Sequence, residues 1–191
     1  VHLALESYFH QPEQDLEALF TRSLQSYSSE LIPSHPLFTM MIQQFQLIKE
    51  HFFSLEESLK SQFGFKRNSA LEKSFELTID HFSFAGKIDR IIEREDGSEL
   101  LIDYKTGNVD FSPNHVVEGT HSQALLYLLS VKQSSTHPCT GVLFYDLKKG
   151  ELRRGLFDES LISKELKSKL TRGHTLSTEK LEEILSAATL H

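Results

Sequence analysis

The stretch Gly86–Gly107, GKIDRIIEREDGSELLIDYKTG, decides how the rest of the chain is read. Its first part places Ile88, Ile91 and Ile92 in a strand-like run from Ala85 to Arg94. Glu95-Asp-Gly-Ser98 then supplies turn chemistry, and Glu99 to Asp103 follows as an apolar strand. Asp103 and Lys105 are two apart, so on a strand both project from one face. Asp89 lies 14 residues before Asp103 with the Asp96-Gly97 turn between them. Strands paired in a hairpin run about 5 Å apart, which brings Asp89 beside Asp103. Two carboxylates and a lysine at one strand end suit metal-assisted phosphodiester cleavage. The acids hold a hard divalent cation, and the ammonium sits where an attacking water or a phosphate oxygen lies. An isolated Asp-x-Lys is ordinarily a surface ion pair; here its company changes the reading. Gly86 is expected to leave room for a backbone or a nucleotide to approach.

Outward from this hairpin, Ser74 to His81 alternates Phe75, Leu77 and Ile79 with polar residues and completes an antiparallel meander. Upstream, roughly the first 65 residues are helical. Leu16, Leu19, Phe20, Leu24 and Tyr27 recur at helical spacing, and so do Met41, Phe45, Ile48, Phe52, Leu55 and Leu59 after the Pro33–Pro36 break. The second of these helices is predicted from about 37 to 63. The phenylalanines Phe45, Phe52 and Phe53 read as core rather than as base-stacking platforms. Downstream, a polar loop runs from Thr106 to about Thr120, followed by a helix carrying Gln123, Leu126, Tyr127 and Leu129. Cys139 to Asp146 is another apolar strand, Lys148-Lys-Gly150 a turn and Glu151 to Phe157 its partner. The last 30 residues or so read as helical, with a break at Gly173. The order α-α-β-β-β-α-β-β-α predicts a single α/β domain over 1–191, helical over 1–65 and 160–191, with the sheet core over 74–157.

Bulk properties narrow the class. The chain has 191 residues, 39% hydrophobic and 25% charged, with fourteen phenylalanines and one cysteine, enough apolar surface for a packed core. Cys139 alone excludes an internal disulfide framework and any cysteine cluster holding zinc or iron–sulfur, and it fits a reducing compartment. With no membrane-length apolar run or signal pattern, the expected location is the cytoplasm. Net charge is −7, yet Lys148 to Arg172 holds eight basic residues against four acidic ones. Such a segment is ordinarily a solvated surface, though it can serve as a phosphate track. The histidines form no His-Glu-x-x-His zinc motif, and His115 and His121 are read as ordinary loop residues. No Gly-x-Ser-x-Gly elbow and no Walker A string occur, so serine-hydrolase chemistry and an ATP motor have no support.

Taken together, Gly86-x-x-Asp89, Asp103-x-Lys105 and Gln123-x-x-x-Tyr127 resemble the PD-(D/E)XK nucleases, specifically the RecB/AddB-type C-terminal nuclease domain. The resemblance covers Glu76 to Tyr127 and implies a restriction-endonuclease-like core, a mixed central sheet of meander plus hairpin flanked by helices. The opening Val1-His2-Leu-Ala-Leu-Glu6 looks like the family's Gly-x-x-x-His-x-x-Leu-Glu helix without its glycine, which implies that the chain is the C-terminal part of a longer protein. Carried over, the resemblance makes His2, Asp89 and Asp103 ligands to Mg²⁺ or Mn²⁺, aided by the Tyr104 carbonyl. Lys105 then orients or deprotonates the attacking water, and Gln123 and Tyr127, one helical turn apart, brace the site or contact DNA. Glu76 matches a recurrent family acid and is read as structural or supporting. Family members pinned by four cysteines around an iron–sulfur cluster are not matched, so no cluster is expected. The implied function is a divalent-metal-dependent DNA nuclease, of exonuclease type, acting in recombination and repair, with a helicase module in the same chain or complex as partner and no membrane. The alternative is a non-catalytic DNA-binding or scaffold module of a recombination helicase complex; a third is an intact domain dormant until joined to its N-terminal partner.

Overall fold

The computed structural model describes residues 1–27, 34–107, 111, 116, 122–170 and 174–187. Three helices open the chain: α1 (His2–His10), α2 (Leu16–Tyr27) and α3 (Pro36–Gln62). The last begins where the proline break predicts. The His35 imidazole accepts from the Leu37 amide and Pro36 occupies the first turn, a position that lacks an intrahelical N–H partner anyway. Its buried stripe, Phe38, Phe45, Ile48, Phe52, Leu55 and Leu59, keeps the helical period and faces the sheet.

Strands β1 (Phe65–Ile79), β2 (Phe82–Arg94) and β3 (Glu99–Lys105) form the expected meander. Helix α4 (Ser122–Ser134) crosses to β4 (Cys139–Asp146), which runs parallel to β3, and β5 (Glu151–Asp158) returns antiparallel. A short helix α5 (Lys164–Lys169), strand β6 (Thr175–Leu176) and helix α6 (Thr178–Ala187) finish the fold. Among the described residues the sheet is mixed and six-stranded, in the order β1 to β6.

Alternation along β3 divides the core in two. Leu100, Ile102 and Tyr104 face α1–α3, while Leu101 faces the cluster built with α4 and α6. Asp103 and Lys105 share the face of Leu101, so the site residues look toward α4.

Two elements differ from expectation. Strand β1 begins at Phe65 instead of Ser74, because its first half is partly exposed and shows no apolar alternation. Polar pairs hold that half instead: Lys66 and Arg67 both bind the Glu93 carboxylate, and the Ser69 hydroxyl donates to Glu99 at 2.9 Å. Strand β6 has only two residues, too few for a period, and joins β5 through Phe157 and Asp158. The break between α5 and α6 falls in this region; Gly173 itself, and most of the polar loop including His115 and His121, lie outside the described residues.

Gly141 shows how tightly β4 and β5 approach. Its φ is +146°, and a Cβ there would lie 2.2 Å from the Leu156 carbonyl oxygen and 2.8 Å from Phe157 Cα. Backbone cannot yield as a side-chain end can. Gly141→Ala is therefore expected to cost about 3 kcal/mol, combining backbone strain and overpacking. Urea denaturation checks this; an unchanged midpoint would show that the strands relax freely.

Candidate active site

The β2–β3 ladder runs only from Glu93↔Glu99 to Arg90↔Ile102. Continued register would pair Asp89 with Asp103 and then Ile88 with Tyr104, but both pairs are missing. Tyr104's amide and carbonyl both point into the gap, as those of one strand residue do. Side chains satisfy them. Its N–H donates to Asp89 Oδ2 at 2.8 Å, and its carbonyl accepts from His2 Nε2 at 2.9 Å. His2 Nδ1 then faces Asp89 Oδ1 at 3.5 Å. Hydrogen bonding to Asp89 raises the imidazole's affinity for a proton above the ordinary, although partial burial opposes it. The first residues of α1 are thus tied to the centre of the sheet.

On the α4 side, Asp103 is buried, 3% exposed. Its Oδ1 accepts from Gln123 Nε2 at 2.9 Å and lies 3.0 Å from the Tyr127 hydroxyl, whose single proton serves either Oδ1 or the Lys87 carbonyl at 2.8 Å. Gln123 also donates to Tyr127 and accepts from the Lys105 ammonium at 2.9 Å. That ammonium stands 2.7 Å from Asp103 Oδ2, which has no other partner among the described residues. Burial pushes the Asp103 carboxyl above the usual carboxylate range, with Lys105 acting against it. Burial likewise raises the Tyr127 phenol, which stays protonated as a donor.

Sequence reasoning missed two residues. Glu72 lies on β1 between Leu71↔Arg90 and Lys73↔Ile88, across from Asp89, with φ at +46°. Ligand atoms of His2, Glu72 and Asp89 lie within 4.8 Å of one another, and Lys87 approaches Glu72 to 3.5 Å. Asp103 is not in this trio. A β1 extended back to Phe65 reveals Glu72; beginning it at Ser74 hides it. Glu76 is exposed opposite Ala85 and makes no hydrogen bond or ion pair among the described residues. Arg90 is the second missed residue. Wholly buried, it binds both Glu56 oxygens, donates to Asn68 at 2.7 Å and to the Tyr104 hydroxyl at 3.0 Å, and stacks 4.2 Å above the Phe9 ring. A charge inside an otherwise apolar strand was its signal. Gly86 needs correction too: the space beside it is filled by the Phe75 ring, 2.9 Å from where a Cβ would sit, and that ring packs edge-on against Tyr127.

The donor set is one imidazole, carboxylate oxygens and, with a lone pair still free, the Tyr104 carbonyl. Mostly hard oxygen, it suits a hard divalent cation. Opposed carboxylates without one would repel. The PD-(D/E)XK nuclease superfamily pattern matches residues 1–189. The chain belongs to this superfamily. Its mixed sheet flanked by helices agrees with the superfamily's restriction-endonuclease-like fold. It is also 40% identical over 63 residues to a subunit of the ATP-dependent helicase/deoxyribonuclease of Carboxydothermus hydrogenoformans, a match to 31% of this chain. That match covers only 6% of the relative's length.

Arg90 and Glu56 offer a stability test of the frame behind this cluster. Removing one partner strands a buried charge, whereas removing both does not. Arg90→Met alone should cost about 3–5 kcal/mol, and the Arg90→Met/Glu56→Met pair markedly less. Denaturation of the single and double variants measures the difference; additive losses would contradict the pairing.

Proposed function

We propose that the chain is a divalent-cation-dependent deoxyribonuclease of the RecB/AddB type, using Mg²⁺ or Mn²⁺ and acting as an exonuclease in DNA recombination and repair. One observation carries this reading: Asp89, Asp103, Lys105, Gln123 and Tyr127, which come from three separate elements, converge on the split between β2 and β3. A helicase module as partner is supported by the name of the relative, a helicase/deoxyribonuclease. No helix among the described residues is long and apolar enough to cross a membrane; a DNA substrate and a single cysteine support the cytoplasm as the site of action. One shared sheet carrying both core clusters supports a single domain.

In this reading Asp89, His2 and Glu72 would hold the cation with the Tyr104 carbonyl, and Asp103, whose Oδ2 lies beside the Lys105 ammonium, would add further negative charge. A bound divalent cation supplies polarisation of the scissile phosphate and a more acidic water. Lys105 places positive charge where negative charge builds on the phosphate oxygens, and it orients the attacking water. Gln123 fixes Lys105 and Asp103 relative to each other by binding both, and Tyr127 keeps Gln123 in place. Water adds to phosphorus, the P–O ester bond breaks, and the products are a phosphate monoester and a hydroxyl.

The test is degradation of linear single- and double-stranded DNA with Mg²⁺ or Mn²⁺. Lys105→Ala should lower the cleavage rate by about 10²–10⁴-fold, the range for a lost proton-transfer or charge-stabilising group, while Mn²⁺ binding measured by calorimetry persists. Equal degradation by both proteins, or none by the unaltered chain, defeats the proposal. DNA binding without any cation affinity would point instead to a non-catalytic module.

A further inference from the structure

Lys105 and Lys87 both stand against carboxylates at the split, and the chemistry above uses only Lys105. That ammonium is fixed: it lies 2.7 Å from Asp103 Oδ2 and donates to Gln123 at 2.9 Å. Lys87 is held differently. Its backbone is anchored, since it pairs with Ser74 in the β1–β2 ladder and its carbonyl lies 2.8 Å from the Tyr127 hydroxyl. Its side chain is not. The Lys87 ammonium lies 3.5 Å from Glu72 Oε2 and makes no hydrogen bond among the described residues, and the side chain is 58% exposed. An ion pair this long and this open to water contributes little to stability and exchanges readily.

The carboxylate that Lys87 approaches belongs to the trio with His2 and Asp89, whose ligand atoms lie within 4.8 Å of one another. Glu72 therefore has two competing cationic partners. A divalent cation in the trio offers twice the charge of an ammonium and repels the ammonium beside it. The Lys87 head group then swings on a stem rooted in a fixed strand, two residues from Asp89. DNA approaching this face meets Glu72, Asp89 and Asp103, and its phosphates need positive charge placed ahead of those acids. Lys105 is turned to Asp103 and Gln123, which leaves Lys87 as the more accessible charge. We propose that Lys87 is an exchangeable counter-ion of the site. It pairs with Glu72 before a cation binds, and with a DNA phosphate next to the one being cut once a divalent cation holds Glu72. This deepens the nuclease reading and rests on it. Lysine suits the exchange, being a compact point charge on a flexible stem with no two-pronged geometry to satisfy.

The experiment compares the whole chain with Lys87→Met, which keeps an unbranched stem and removes the charge at an exposed position. Mn²⁺ affinity is measured by calorimetry without DNA. Binding of a labelled DNA oligonucleotide is measured by fluorescence anisotropy in Ca²⁺ across a series of salt concentrations. Without the competing ammonium, Lys87→Met should bind Mn²⁺ more tightly, on the order of tenfold at low salt. Its DNA binding should weaken, with the slope of log affinity against log salt reduced by about 1, the signature of one lost phosphate contact. In Mn²⁺ the variant should cut DNA with a raised KM and a nearly unchanged kcat. A side chain with a packing role alone would not move the two affinities in opposite directions. An unchanged Mn²⁺ affinity overturns the proposal by removing the exchange at Glu72, and an unchanged salt slope overturns it by removing the phosphate contact. A chain that shows both binding effects yet cuts DNA with neither Mg²⁺ nor Mn²⁺ instead defeats the nuclease reading and leaves the exchange standing.

Discussion

The backbone of Tyr104 is the point on which the architecture turns. In an uninterrupted hairpin its N–H and C=O would bond to β2, and no polar side chain would be needed there. Here the ladder stops at Ile102, short of Tyr104, and two backbone groups need other partners. An unpaired buried amide or carbonyl costs about 1–3 kcal/mol, so the pull on Asp89 and His2 is comparable to a good hydrogen bond at each end. Satisfying Tyr104 therefore draws together a carboxylate from β2 and an imidazole from α1, residues 87 positions apart in the chain. The split that would weaken an ordinary sheet creates the opening in which a carboxylate and an imidazole meet.

Behind this opening the sheet is made rigid on both faces. Toward α3, Arg90 ties Glu56, Asn68 and Tyr104 through all three of its nitrogens, a geometry a lysine could not reproduce. Toward α4, Gln123 uses its amide as a two-way clamp between Asp103 and Lys105. The faces have different consequences. In the Arg90 cluster each of the three guanidinium nitrogens has an acceptor, and the group anchors the α1 helix through Phe9. In the Asp103 cluster, Oδ2 has only the Lys105 ammonium beside it. A carboxylate buried with one oxygen balanced only by charge is costly in isolation, and it is the type of arrangement that a bound cation relieves.

Legibility in the sequence follows burial. Asp103 and Lys105 are readable because Leu100, Leu101 and Ile102 mark β3 as an apolar strand and fix which residues share a face. Helix α3 is readable for the same reason, from Phe38 to Leu59. The first half of β1 is not, because cross-strand charge pairs hold Lys66 and Arg67, and such pairs leave no period. Missing that half hides Glu72, and with it the trio formed with His2 and Asp89. Gly86 reads as space for a ligand, but only tertiary packing shows that Phe75 fills it. The contact of His2 with Tyr104 spans 102 residues; no local pattern encodes it, and only the resemblance of the opening residues points there.

Whether the split at Tyr104 is a cation site is tested most directly by anomalous diffraction from crystals soaked in Mn²⁺. A Mn²⁺ peak bounded by Asp89 and His2, within coordination distance of their side chains, is expected, as is its loss in Asp89→Ala. Crystals that stay ordered at millimolar Mn²⁺ and show no peak there, or show it only at surface carboxylates, would contradict a cation site at Tyr104.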